Sequence, residues 1–259
     1  MPKLFIGSVV WRQRDESYSL ALEKLKARAL LENWEIIDGT QVGDALVSRS
    51  RSIAGSQFLR SDADVFLSID SDIVFDPKQV FPFCQKAMDL RGILGACYSG
   101  HSRTQFQPTF LLHEGQTLRF HYDAKPEEVR FVGGGFMAID KSVFEKLSHT
   151  IPVCHKEMGY RSFWPFYQPM IIPSNYSSEH LYLSEDWAIS EYARKVGVKT
   201  YLDPSIRLAH MSMVPVVIED FFKAQIAPNQ TYSLTLEELG KLTIRLETPQ
   251  EEFAPCHQR

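Results

Sequence analysis

The chain has 259 residues, 44% of them hydrophobic and 12% aromatic. That is enough to bury a full core, most simply as one α/β domain. The formal net charge of −4 argues against non-specific binding to nucleic acid or an anionic membrane, which calls for an excess of Lys and Arg. No apolar run approaches the roughly 20 residues of a membrane span.

The N-terminus, Met1-Pro2-Lys3-Leu4-Phe5-Ile6-Gly7, reads as leading directly into a strand without a signal peptide. Residues 4–10 read as that first strand. Asp15 and Ser17 offer N-caps for an amphipathic helix reaching about residue 31, with Leu20, Leu22, Leu25, Ala29 and Leu30 as its apolar positions. Residues 34–37 form a second strand, ending at Asp38-Gly39. A second helix is expected over 44–60, followed by a buried strand over 65–69. Asp76-Pro77 opens another helix, with Pro77 at the tolerated first position, and 93–98 is a further strand. Short β-like pieces at 109–112 and 118–120 precede Phe131-Val132 and the run Gly133-Gly134-Gly135. A short helix is expected over 141–147. Residues 151–180 are irregular and rich in Pro, Ser, Tyr and Phe; a loop this long is functional or disordered. Its aromatics Trp164, Phe166 and Tyr167 suit either stacking on sugar faces or closing the core. Residues 184–196 form a helix with Ser184 as N-cap, 199–202 a strand, and 234–242 carry helix signals.

This alternation is the pattern of a mostly parallel central sheet with helices on both faces. The division expected is a main α/β domain over 1–212 and a helical C-terminal extension over 213–259, packed on or flanking it. Cys84, Cys97, Cys154 and Cys256 are widely spaced and show no paired metal-ligand pattern. They read as structural or incidental thiols in a reducing, cytoplasmic setting.

The strand over 65–69 delivers Asp70 and Asp72 at its C-terminal end, where ligands bind in open α/β sheets. Residues two apart in an extended chain project to the same side, so both carboxylates can converge on one divalent cation, which can hold a diphosphate. The plainer reading is a polar strand exit, because Asp favours turns and N-caps. Gly133-Gly134-Gly135 fits neither the dinucleotide nor the P-loop fingerprint and reads better as a tight backbone turn beside a ligand.

The order of these pieces is more specific than any one of them. An arginine-bearing stretch, Leu46-Val47-Ser48-Arg49-Ser50-Arg51, precedes Ser68-Ile69-Asp70-Ser71-Asp72. Gly133-Gly134-Gly135-Phe136-Met137, Ser184-Glu185-Asp186-Trp187, Asp203-Pro204 and His210 then follow. Over roughly residues 3–212 this set resembles the Asp-x-Asp region and downstream motifs of GT-A-fold nucleotide-sugar glycosyltransferases of bacterial and viral type. The first-strand exit, Val9-Val10-Trp11-Arg12, departs from the Pro-x-Tyr/Phe-Asn pattern common in large bacterial groups of that fold.

The resemblance implies a single GT-A, Rossmann-like domain that moves a sugar from a nucleotide-diphosphate donor, expected to be a UDP-sugar, to a hydroxyl of a glycan or small acceptor. It implies Asp70, Asp72 and His210 as ligands of Mn²⁺ or Mg²⁺, oxygen donors suiting both ions and an imidazole tilting the choice to Mn²⁺. Asp186 would be the base of an inverting reaction, with Glu185 second to it. The plain reading of Asp186 is an acidic first-turn residue complementing the helix dipole. Arg51, with Arg49 as fallback, would meet the nucleotide or pyrophosphate, since a guanidinium forks onto phosphate oxygens. Ser71, Gly134 and Gly135 complete the donor side. Asp38 could accept from a base ring, although a turn role competes. Two rival readings are a sugar nucleotidyltransferase, for which residues 7–15 lack a Gly- and Lys-rich phosphate loop, and a non-catalytic nucleotide-sugar-binding relative of the same fold.

Overall fold

The structure is a computed structural model describing residues 1–11, 14–100, 107–155, 162–174, 178–211, 215–216, 231–236 and 242–247. Arg12, His101 and Cys256, and parts of the irregular 151–180 segment and of the C-terminal extension, lie outside the described residues.

The first third of the chain alternates as its pattern predicts, except that the first strand expected over 4–10 is broken at Gly7-Ser8 into two strands that pair in different sheets. Strands β1 (Lys3–Ile6) and β2 (Val9–Val10) lead into α1 (Glu16–Leu31). There Asp15 is the N-cap, its carboxylate accepting from the Ser17 N–H. The buried stripe of α1 is Tyr18, Ala21, Leu22, Leu25 and Ala29, whereas Leu20 and Leu30 face solvent, against expectation. Their positions fall outside the i, i+3, i+4 face that Tyr18 starts. Next come β3 (Glu35–Asp38), β4 (Gln41–Val42), α2 (Val47–Arg60), β5 (Val65–Ile69), β6 (Ile73–Val74) and α3 (Pro77–Leu90). Asp76 caps α3 through the Lys78 N–H, with Pro77 in the first turn.

Beyond α3 lie β7 (Ile93–Cys97), β8 (Thr117–Phe120), β9 (Glu127–Val129), β10 (Phe136–Asp140) and α4 (Lys141–Ser148). The pieces β11 (Cys154–His155), β12 (Ser162–Phe163), β13 (Met170–Pro173) and β14 (His180–Leu183) precede α5 (Glu185–Lys195). The chain then gives β15 (Thr200–Arg207), β16 (Ala209–Met211), β17 (Pro215–Val216), β18 (Thr231–Leu236) and β19 (Leu242–Glu247).

Seven strands form the central sheet in the order β3-β1-β5-β10-β7-β15-β9. The pairs β1/β3, β1/β5 and β15/β7 are parallel, while β10 runs against both β5 and β7, and β9 against β15. Five strands therefore share one direction, giving a mixed, mostly parallel sheet. Alternation along the strands feeds two cores. Leu4, Ile6, Val65, Leu67 and Ile69 pack with α1 and α3, whereas Phe5 and Phe66 pack with Phe58 of α2 and Phe144 of α4. Helices thus cover both faces, which is why the central strands are apolar on both sides. No helix among the described residues is long and apolar enough to cross a membrane.

Two further segments differ from expectation. The helix foreseen over 234–242 is not formed in the described part of that stretch: β18 pairs antiparallel with β8 and β19. In Thr231-Tyr232-Ser233-Leu234-Thr235-Leu236 the β-formers Thr and Tyr outweigh the leucines. Tyr232 also stacks on Phe120, ring centroids 4.8 Å apart. The described part of the C-terminal extension is therefore β-structured, not helical. In the 151–180 segment, Phe166 and Tyr167 are fully buried. Serines of α2 dock them: Ser52 Oγ accepts from the Tyr167 N–H (3.1 Å) and Ser56 Oγ from the Trp164 N–H (2.9 Å). These aromatics close the core.

Candidate functional site

At the C-terminal end of β5 the strand stops at Ile69 and the chain turns, the Ile73 N–H donating to the Asp70 carbonyl (3.1 Å). A turn, not an extended strand, therefore presents Asp70, Ser71 and Asp72. All three line one cavity of about 550 Å³, together with Val9, Trp11, Asp44, Arg51 and Glu185. The antiparallel pairing of β10 with β5 sets Gly135 against Asp70, whose N–H donates to the Gly135 carbonyl (2.9 Å). The glycine run opens a strand here instead of following one.

Arg51 reaches this point from α2. It is 4% exposed, and it donates from Nη2 to Asp70 Oδ1 (2.6 Å) and from Nη1 to Glu185 Oε1 (3.2 Å). Burial alone would favour the neutral form, but the charges of Asp70, Glu185 and Asp186 hold the guanidinium protonated, its pKa above the ordinary value. Arg51 is thus a buried link between two carboxylates and presents no free fork. A side chain at position 134 would collide with it: a Cβ there would lie 1.7 Å from Arg51 Nη1 and 3.1 Å from Asp186 Cβ.

The Glu185-Asp186 pair opens α5, as its first-turn placement suggests. Asp186 accepts from the Gly134 N–H (3.2 Å), the Trp187 N–H (2.8 Å) and the Ser184 hydroxyl. Ser184 is the N-cap, but its hydroxyl serves Asp186 and makes no cap bond. Burial raises the pKa of Glu185; Arg51 opposes this and Asp186 adds to it. Of the two carboxylates, Glu185 lines the cavity.

Strand pairing also brings in His210. β16 pairs with β6 in the register His210↔Ile73, and the Met211 N–H donates to the Asp72 carbonyl (2.8 Å). His210 Nε2 lies 3.4 Å from Asp72 Oδ2, and Nδ1 lies 3.0 Å from the Ser99 carbonyl. A carbonyl only accepts, so Nδ1 carries the proton; Nε2 donates to Asp72 when the ring is also protonated there, and when neutral offers its lone pair to a ligand. Burial disfavours the imidazolium, but the hydrogen bond and charge of Asp72 and the Ser99 contact together hold the His210 pKa above its usual value.

Among the described residues, no three His, Cys, Asp or Glu side chains form a ready-made metal cage. What is present is an Asp72–His210 pair with Asp70 beside it, held by Arg51. Carboxylates and an imidazole are side-chain types that could hold a divalent cation.

The remaining expected residues lie elsewhere. Arg49 is clamped to Asp44 by Nε and Nη2, each at 2.7 Å, at the start of α2. Asp38 accepts from the Thr40 N–H (3.1 Å) and hydroxyl (2.6 Å) and lies 3.8 Å from Lys26. Burial raises its pKa, but the Thr40 bonds and the charges of Arg14 and Lys26 outweigh it and leave the pKa low. This is the turn role. The cavity holding Asp70 is not lined by Asp38.

Tyr98 was not foreseen. Its buried hydroxyl accepts from the Gly135 N–H (2.7 Å), its ring meets His210 edge-on (centroids 5.5 Å apart), and burial raises its pKa. Nothing marks this tyrosine in the sequence except its place at a strand end. Ser99, Trp11 and Asp44 were also missed.

No protein-family model matches the sequence, and no curated protein matches it. Solved structures do. A197 from STIV is 16% identical over 96% of this chain and 96% of its own, with a TM-score of 0.46. TarS 1-349 of S. aureus, solved in complex with UDP-GlcNAc, is 10% identical over 79% of this chain and 56% of its own, with a TM-score of 0.42. A Bacillus anthracis protein described as a glucose-1-phosphate thymidylyltransferase, solved with sucrose, is 11% identical over 81% of this chain and 89% of its own, with a TM-score of 0.39.

Proposed function

We propose that the protein is a metal-dependent glycosyltransferase of GT-A type, transferring a sugar from a nucleotide diphosphate, a UDP-sugar, to a hydroxyl acceptor with inversion. The observation that carries this reading is convergence. Asp70 and Asp72 from the β5 exit, Glu185 and Asp186 from α5, and His210 from β16 meet at one end of the sheet.

Asp72, His210 Nε2 and the oxygen of Asp70 not held by Arg51 are the groups that would hold Mn²⁺ or Mg²⁺. Bound there, the ion would neutralise the charge developing on the departing diphosphate. Arg51 fixes Asp70 and Glu185 relative to each other. Asp186 has about four lone-pair directions, and three protein donors leave one for the acceptor hydroxyl, whose proton it takes. Gly134 and Gly135 keep the backbone close enough to supply one of those donors. Apolar Val9, Val47 and Trp11, which is 53% exposed, line the cavity, and the base of the donor would lie against them.

Glu185 supplies a second reading of the base, because it faces the cavity and its pKa is raised toward neutrality. A base works best when its pKa approaches the operating pH. A panel of UDP-, GDP- and dTDP-sugars with Mn²⁺, read by nucleoside-diphosphate release, tests the reading. Release from a UDP-sugar that stops with EDTA is expected. Asp186→Asn should slow it about 10²–10⁴-fold and Glu185→Gln much less. The reverse ranking would transfer the role to Glu185.

A further inference from the structure

A second cavity, of about 760 Å³, opens beside the C-terminal end of α5. One wall is apolar: Ile171, Ile172 and Pro173 of β13, with Ile171 67% exposed. The other carries Arg130, Arg194 and Lys195. Arg194 is committed, donating from Nε (2.8 Å) and Nη2 (2.6 Å) to the carboxylate of Glu191. Arg130 and Lys195 are not. Arg130 stands over the Phe131 ring at 5.1 Å, and Lys195 lies 5.8 Å from the Tyr192 centroid. Neither side chain makes an ion pair or hydrogen bond among the described residues, although the charges of both help Arg194 lower the pKa of Glu191, which also lines the cavity. Against these two cations stands one uncommitted carboxylate at the rim, Glu114, with His113 beside it.

The charge balance is opposite in the first cavity, where Asp44, Asp70, Asp72 and Glu185 surround a single Arg51. An anion would be repelled there without a metal ion and attracted to the second cavity. Helix α5 connects the two, with Glu185 and Asp186 in its first turn and Arg194 and Lys195 in its last. The ten steps of 1.5 Å from Glu185 to Lys195 separate them by about 15 Å, the reach of a short oligosaccharide.

We infer that the second cavity is a recognition site for an anionic saccharide, its phosphate or carboxylate on Arg130 and Lys195 and a sugar face against β13. Resting on the proposed transferase activity, the further assignment is that this saccharide is the acceptor, whose free hydroxyl reaches Asp186.

The test is calorimetry in EDTA with glucose 6-phosphate, glucuronate and neutral glucose as probes, so that metal-dependent binding at the first cavity is removed. At least one anionic probe should bind at least tenfold tighter than glucose, more weakly as salt rises, and the two probes distinguish phosphate from carboxylate. Arg130→Gln/Lys195→Gln should lose that preference, and the single exposed change Lys195→Gln should lose part of it. Asp72→Asn should retain it. Equal binding of glucose and both anions, or an unchanged preference in the double variant, overturns the site. If anion binding persists while no UDP-sugar is consumed, the site stands and its acceptor role falls.

Discussion

Arg51 Nη2 lies 2.6 Å from Asp70 Oδ1 while Nη1 lies 3.2 Å from Glu185 Oε1, so one buried guanidinium ties the β5 exit to the start of α5. Residues 19 and 134 positions apart in the chain become one unit. The proposed metal side and acceptor side therefore share a support.

Arg51→Gln removes that support and leaves two half-buried carboxylates without their cation. Breaking such a pair costs about 3 kcal/mol or more, and the variant should melt well below wild type. Arg51→Lys keeps the charge but cannot fork; it should recover much of the stability and little of the transfer rate. Chemical denaturation together with kcat and KM checks this. Full activity in Arg51→Lys would make charge alone sufficient.

Gly134→Ala places a methyl group on Arg51 Nη1. The overpacking should cost about 1–3 kcal/mol and loosen Asp186 by displacing the Gly134 N–H. Gly197→Ala, whose Cβ meets nothing within 4 Å but whose φ is +74°, serves as a strain control beyond the far end of α5. Equal activity in the two variants would argue against a fitted glycine at 134.

Glu185 gives a pH signature. Its carboxyl binds a proton more tightly in the folded state, because burial raises its pKa. The stability difference between wild type and Glu185→Gln should then be greatest below the ordinary carboxylate range and fall as pH rises through the interval up to the raised pKa. Denaturant titrations at several pH values measure it. A difference that grows with pH would mean that Arg51 dominates over burial.

Cys84 and Cys97 are buried among the described residues, and burial raises the Cys84 thiol. Iodoacetamide should leave both unlabelled in the native protein and label both in denaturant. Peptide mass mapping reads this directly, and labelling of Cys84 without unfolding would contradict the packing of α3.

The parts of the fold legible in the sequence are those set locally. Asp15 and Asp76 cap their helices, and the apolar run before Asp70 is β5 to the residue. β10 could not be recognised as an antiparallel insertion between β5 and β7, because a strand buried on both faces reads the same in either direction. β18 reads as helix because Leu236, Leu239 and Leu242 recur at a helical spacing of three, while Leu234 and Leu236 fit the alternation of a strand, and only pairing with β8 decides. At the site, Asp70, Asp72, Glu185 and Asp186 were identifiable as residues. The fate of Arg51, the docking of Tyr98 on Gly135 and the Ser99 contact that fixes the His210 tautomer depend on long-range packing. Residue spacing carries no trace of that.

The most direct measurement is calorimetric titration of UDP into the protein with Mn²⁺ and with EDTA, repeated for Asp72→Ala. The account predicts binding that needs Mn²⁺, is lost in Asp72→Ala, and raises the melting temperature of the wild type alone. Equal UDP affinity with EDTA and with Mn²⁺, or unchanged Mn²⁺-dependent binding in Asp72→Ala, would contradict it.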